Sequence, residues 1–202
     1  MMRRIVEGEA RMIARERTFT IDDVWKLSQQ PENEAERYYL IDGELFVTMS
    51  PGELHGMLAS EIARVIGNYV REHDLGRVTV ETGYHPSGNR KTLLLPDVAF
   101  RSRRRLPGPV QLGFVPQMPD LAVEIVSPRN SLAELRRKAE VYLRNGTALV
   151  WILNPSAETA EVWQLADDDE LRSEIIDTSG ALRGESVLPG FKLNLATLFD
   201  LD

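Results

Sequence analysis

The sequence predicts one α/β domain, a mixed central sheet flanked by helices with extra strands near both ends. Three observations predict it. The runs Leu121–Val126 and Leu149–Leu153 are almost wholly apolar and are joined by a helix-patterned stretch. That strand–helix–strand order belongs to a parallel pair with a right-handed crossover. A longer amphipathic pattern precedes it, and short alternating runs bounded by turn residues lie on both sides.

In chain order, residues 1–17 read as an extension or a frayed helix without an apolar stripe, and 18–202 as the single domain. Thr20 is placed to cap a short helix over 21–27, with Asp22 and Asp23 in its first turn. Strands over 38–41 and 44–47 flank Asp42-Gly43, a two-residue hairpin signal. From Leu54 to about Arg71, Leu54, Leu58, Ile62, Val65, Ile66 and Tyr69 recur at helical spacing. A strand follows over 78–84 and another over 95–100, after the polar turn at Ser87-Gly88-Asn89. Residues 101–119 form an excursion rich in Arg, Pro and Gly, and then comes the 121–126 strand. Ser131 and Glu134 suit a capping box for a helix ending near Gly146. Beyond the 149–153 strand, shorter antiparallel strands are expected over 159–165, 171–177 and 191–195.

Composition narrows the function classes. A hydrophobic fraction of 43% in 202 residues is enough for one substantial core, since chains of this size bury roughly 70% of their unfolded surface. The chain has no cysteine, which excludes disulfides, iron–sulfur clusters and cysteine-zinc sites. The charged N-terminal stretch lacks the apolar core of a signal peptide, and no window approaches the roughly 20 apolar residues of a membrane span. A cytoplasmic location is the expectation. The net charge of -7 argues against a protein that simply coats nucleic acid. It leaves room for an enzyme acting on phosphodiesters, because local sign matters more than the sum. Arg101, Arg103, Arg104 and Arg105 form one basic run, and Arg129, Arg136, Arg137 and Lys138 another. For either run alone, a solvated loop or helix face is the plainer reading.

Glu124 carries the chemistry signal. An ionisable side chain in a strand covered on both faces costs several kcal/mol unless it is paired or binds a cation. A buried arginine partner or a place at the sheet's end would satisfy it as well. Asp97 follows Pro96 at the start of another apolar strand, where a turn aspartate is also ordinary. On the helix after the Glu124 strand, Leu132, Leu135, Ala139, Tyr142 and Leu143 define the buried stripe, and Lys138 borders it. A lysine snorkelling at the boundary is the plain alternative. Two carboxylates and one lysine at the same end of a sheet need a common explanation more than three separate ones.

Several segments together resemble the Uma-two family of endonucleases, in the PD-(D/E)xK nuclease superfamily. They are Tyr39-Leu40-Ile41-Asp42-Gly43-Glu44-Leu45, Ser50-Pro51 followed by His55, Pro96-Asp97-Val98 and Val123-Glu124-Ile125-Val126-Ser127-Pro128. Lys138 with Tyr142 and the stretch from Trp151 to Pro155 complete the set. The resemblance runs from about Thr18 to the Leu188-Pro189-Gly190-Phe191 segment. It implies a restriction-endonuclease-like core with a mixed central sheet flanked by helices, plus extra N- and C-terminal strands. It implies that Asp97 and Glu124 bind a divalent cation, with the backbone carbonyl of Ile125 as a further ligand. The superfamily pattern places a lysine two residues after the glutamate, where this chain has Val126. The family supplies it from the following helix, which here is Lys138.

Carboxylate oxygens suit Mg²⁺ or Mn²⁺. Such an ion polarises a phosphodiester oxygen and acidifies water, and a positioned lysine orients that water or offsets the developing charge. Glu81 and Glu61 are further carboxylates near the expected site, with a surface salt bridge as the alternative for each. His55 is a candidate for a substrate-side or supporting role; His55, His73 and His85 lack metal-ligand spacing. The arginines at 101, 103, 104 and 105 are candidates to grip a nucleic-acid backbone. The leading expectation is therefore a Mg²⁺-dependent endonuclease acting on DNA. A non-catalytic nucleic-acid- or partner-binding module on the same fold is the alternative, and a homodimer assembled through exposed strands is compatible with either.

Overall fold

The computed structural model describes residues 11–13, 18–49, 52–106, 108, 110, 112–128 and 130–200. Most of the 1–17 segment, Ser50, Pro51 and Arg129 lie outside the described residues. Within the stretch read as an extension or a frayed helix, β1 (Arg11–Ile13) is a strand that pairs antiparallel with a later strand. The first helix, α1 (Ile21–Ser28), opens on Thr20, whose hydroxyl accepts the Asp23 N–H while the Asp23 carboxylate accepts the Thr20 N–H.

β2 (Glu36–Ile41) and β3 (Glu44–Met49) form the hairpin, with Ile41 opposite Glu44. Asp42 and Gly43 both have positive φ, 52° and 84°, the geometry a two-residue turn needs to follow the strand twist. β1 pairs with the far edge of β3, so this small sheet runs β1-β3-β2.

The long helix is α2 (Glu53–Glu72), and its buried residues are His55, Leu58, Ile62, Ile66 and Val70. Leu54, expected on that stripe, is 53% exposed. The helical repeat explains the exchange: His55 lies about 20° from Ile62 around the axis, whereas Leu54 lies about 80° away.

β4 (Gly76–Val80) is shorter than the expected 78–84 strand because Glu81 takes a left-handed φ of 46°. The chain then returns to the sheet through isolated bridges from Tyr84 to Leu94 and Val115. β5 (Val98–Ser102), β6 (Leu121–Ile125), α3 (Leu132–Arg144) and β7 (Leu149–Asn154) follow. β6 and β7 are parallel, with Leu121 opposite Leu149, and α3 makes the crossover. Ser131 caps α3 by accepting the Glu134 N–H at 3.1 Å. Glu134 does not close the box; its carboxylate accepts the Tyr39 hydroxyl at 2.7 Å instead.

β8 (Thr159–Leu165) and β9 (Leu171–Ile176) complete a six-stranded mixed sheet in the order β4-β5-β6-β7-β8-β9. A separate pair, β10 (Ala181–Arg183) and β11 (Lys192–Asn194), leads to α4 (Leu195–Phe199). The alternation of side chains along each strand sorts the core into two layers. Val98, Phe100, Val123, Ile125 and Trp151 face α2, α4 and the C-terminal strands. Ala99, Ala122, Val150 and Ile152 face α3 and the β2–β3 hairpin. By the same alternation, Glu124 belongs to the α3 side, beside Ala122. No described helix is long and apolar enough to cross a membrane.

Candidate active site

The ladder that pairs Val98 with Val123 brings Asp97, one residue before β5, to the register position of Glu124 in β6. Asp97 Oδ2 accepts the Ile125 N–H at 2.7 Å, which ties the carboxylate to the neighbouring strand. The same oxygen lies 3.2 Å from Nε2 of His55, the inward-facing residue of α2's first turn. His55 Nδ1 is buried and has no hydrogen-bond partner among the described residues.

Glu124 is 2% exposed. Its Oε2 accepts from Lys138 Nζ at 3.2 Å and its Oε1 from the Tyr142 hydroxyl at 2.9 Å. Lys138 and Tyr142 are four apart on α3, so one helix face presents both donors to one carboxylate. Lys138 also sits 4.5 Å from the centroid of the Tyr39 ring, a cation–π contact. That ring is stacked on Phe46 at 4.8 Å, and its hydroxyl is bonded to Glu134. The hairpin thus forms the floor on which the lysine rests.

The electrostatics follow from burial and proximity. Burial holds the Glu124 carboxyl above its usual range and the Asp97 charge adds to this, while Lys138 and Tyr142 pull the other way. For Lys138 burial favours the neutral amine, but Glu124, Asp97 and Glu134 outweigh it and keep the ammonium charged. For His55 burial is likewise opposed, by the hydrogen bond and charge of Asp97 and by the charges of Glu124 and Glu81, and its pKa rises. Burial raises the Tyr142 phenol well above its ordinary value, and the Glu124 charge reinforces it. Both tyrosine hydroxyls here are therefore donors.

The other sequence candidates separate. The Glu81 N–H donates to the Asp97 carbonyl at 3.3 Å, so its backbone adjoins the site. Its half-exposed carboxylate lies 3.7 Å from Arg37. Glu61 turns to the helix surface and makes two hydrogen bonds with Arg64. The Ile125 carbonyl accepts from Asn130 Nδ2 at 3.4 Å, and Asn130 Oδ1 takes the Ser127 N–H, so this side chain braces the chain just past β6.

The arginine run lies at the other end of β5 from Asp97, and three of its members have structural partners. Arg101 is buried, with Nη2 bonded to the Arg105 carbonyl and to Gln117. Arg103 pairs with Asp74. Arg105 binds the buried Asp120 and the carbonyls of Gly146 and Met118. Arg104 is exposed. Among the described residues no group of three or more His, Cys, Asp or Glu side chains is arranged to hold a metal ion.

Comparison with known proteins bears on this constellation. A family model described as "Putative restriction endonuclease", Uma2, matches residues 25–196. The chain belongs to the Uma2 family. The match spans every residue of the Asp97, Glu124, Lys138 and His55 cluster. Among solved structures, the crystal structure of a "putative nuclease belonging to DUF820" from Anabaena variabilis ATCC 29413 has the same fold. Its TM-score is 0.77 at 23% identity, over 91% of this chain and 98% of that one. No curated protein matches the chain. Within this Uma2 fold, Asp97, Glu124, Lys138 and His55, all singled out from the sequence, lie together, and Tyr39, Asn130 and Glu134, which were not singled out as site residues, adjoin them. The Lys138–Tyr142 spacing was a usable signal for one contact. Tyr39 opens the Tyr39–Leu45 segment, but nothing local marks its contact with Glu134, 95 residues further along the chain.

Proposed function

We propose that this Uma2 protein is a divalent-metal-dependent endonuclease of the cytoplasm that hydrolyses phosphodiester bonds, with DNA as its substrate. Family membership supports the nuclease-like reading. The observation that carries it furthest is the side-by-side placement of Asp97 and Glu124 with Lys138 bonded to the glutamate.

The donor set fits a hard cation. Asp97 Oδ1 has no hydrogen bond among the described residues, while Oδ2 is fixed by Ile125 and His55. With Glu124 and the Ile125 carbonyl this makes an all-oxygen set. It leaves positions for water and phosphoryl oxygens, as Mg²⁺ prefers. A Mg²⁺ or Mn²⁺ ion held by Asp97, Glu124 and the Ile125 carbonyl would supply positive charge to a phosphoryl oxygen and make water more acidic.

The chain's own residues supply the rest. Lys138 remains an ammonium, so it is a donor rather than the base that takes the water's proton. Beyond its bond to Glu124 it has further N–H groups, directed to the attacking water or to the charge gathering on phosphorus. Tyr39 and Tyr142 fix where that ammonium and its carboxylate sit. His55 holds the Asp97 carboxylate, and Asn130 holds the strand end that presents the Ile125 carbonyl. Arg104 is the exposed member of the basic run that has no partner among the described residues, and it is the one open to a nucleic-acid backbone.

The test is cleavage of supercoiled, linear and single-stranded DNA with Mn²⁺ or Mg²⁺, beside Glu124→Ala. Activity that is blocked by EDTA and absent from the variant supports the proposal. A non-catalytic module would leave every substrate intact at saturating metal.

A further inference from the structure

We propose a second site, an anion pocket that takes a phosphate group, built on the cross-strand pair Arg77 and Arg101 at the far end of β5 from Asp97. These two arginines are direct partners in the β4–β5 ladder. Like charges directly opposite one another on a sheet repel, and nothing in the strand pairing offsets that. Alternation puts Thr79 on the same face, and its hydroxyl is 2.6 Å from that of Tyr84.

The pair opens onto a cavity of about 590 Å³ whose lining includes Arg71, Arg77, Thr79, Thr82, Tyr84 and Arg101. Arg103 also lines it, as does Asp74, the lining's only carboxylate, and these two are paired with each other. The remaining charged residues of the lining, Arg71, Arg77 and Arg101, are therefore all cationic, in a chain whose overall charge is -7.

Arg101 supplies the independent sign of a ligand. It is 7% exposed. Nη2 is satisfied, but Nε is buried without a partner and Nη1 has no hydrogen bond among the described residues. Buried guanidinium nitrogens are seldom left unpaired, and leaving one so is costly. Arg77 contributes only a long contact, 3.4 Å, to the Gly108 carbonyl. Burial and the neighbouring Arg105 and Arg77 charges, against the partial offset of Tyr84 and Asp120, leave the Arg101 pKa lowered. A tetrahedral oxyanion between the two guanidiniums removes the repulsion and fills the open donors, with Arg71 and the Thr79 hydroxyl within the same cavity. Phosphate matches the fork geometry of arginine. The cavity has room for more than the phosphate, so the ligand class is a phosphate monoester, either a free mononucleotide or the phosphorylated end of a strand.

None of the lining belongs to the Asp97–Glu124 centre, and Arg101 lies four residue steps along the strand from Asp97, about 13 Å. The site does not depend on the cleavage reading.

The test uses the full chain in EDTA, so that no metal contributes. Isothermal calorimetry and thermal melting are run with inorganic phosphate, a 5′-deoxymononucleotide, the matching nucleoside, and 5′-phosphorylated or 5′-hydroxyl oligonucleotides, at constant ionic strength. The expected result is binding of phosphate and of phosphate-bearing ligands, in mutual competition, with none for the nucleoside. Tighter binding of the mononucleotide identifies the free nucleotide as the source, and tighter binding of the phosphorylated oligonucleotide identifies the strand end. Arg77→Gln, at an exposed position that tolerates change, should weaken phosphate by about tenfold or more, the loss of one charge-assisted bond. Without phosphate the same variant should melt no lower than the parent, because the repulsion is gone. Absence of phosphate binding by the parent, or an undiminished response in Arg77→Gln, overturns the proposal.

Discussion

Lys138→Met isolates the buried ion pair. The substitution keeps the length and apolar stem of the side chain but removes the charge that faces Glu124, a carboxylate 2% exposed beside Asp97. Breaking a buried pair by deleting one partner costs about 3–5 kcal/mol, because the other charge is left uncompensated. For a chain of this size that lowers the melting temperature by roughly 6–20 °C. The cost should depend on pH. Burial already holds the Glu124 carboxyl above its usual value, and removing the ammonium raises it further. A carboxyl whose pKa is higher folded than unfolded gives stability that is fully present below the unfolded value and is lost as pH rises through the folded one. The variant should therefore be close to the parent near pH 5 and fall away above pH 7. The double variant Glu124→Gln, Lys138→Met should recover most of the loss, since no charge is left stranded. Urea melts in EDTA at both pH values measure this. A Lys138→Met penalty under about 1 kcal/mol at pH 8, or a double variant as unstable as the sum of the singles, would refute the reasoning.

Other expectations are more local. Tyr39→Phe removes the hydroxyl that Glu134 accepts but keeps the ring under Lys138, so it should cost about 1–2 kcal/mol in a urea melt and leave the rate of DNA cleavage within a few-fold of the parent. Arg105→Ala strips the partner from buried Asp120 and should destabilise by about 2–3 kcal/mol, whereas Arg104→Ala should stay within about 0.5 kcal/mol and show its effect in DNA affinity at low salt. Metal affinity measured by calorimetry should rise with pH across neutrality, because a cation must displace the proton that burial favours on Glu124; an affinity flat from pH 6 to 8 would contradict that.

Much of the architecture was legible because it rests on local pattern. The Asp42-Gly43 turn, the Thr20 cap and the parallel pair around α3 are set by neighbouring residues, and each appears as expected. What was not legible is non-local. Glu81 ends β4 early through a backbone conformation that its residue type does not announce. β10 is three residues long, too short to show a period. Leu54 and His55 exchange places because the helix angle to Ile62 outweighs hydropathy at the first turn. At the site, Glu124 stood out as the one charge in an apolar strand, and Lys138 by its place beside a helical stripe. Tyr39 and Glu134 meet only because the hairpin folds across α3, and no spacing encodes that. The basic run at 101–105 looked like a nucleic-acid grip from composition, but the partners of Arg101, Arg103 and Arg105 are visible only in three dimensions.

The most direct test of the central claim is Mn²⁺ binding to the parent and to Asp97→Asn, followed by calorimetry with folding checked by circular dichroism. The asparagine keeps an oxygen for the Ile125 N–H, so the fold should survive while one ligand charge is lost. The account predicts binding in the parent that competes with Mg²⁺, and a loss of at least about tenfold in the variant. Equal binding by both proteins, or no binding by a folded parent, would contradict it.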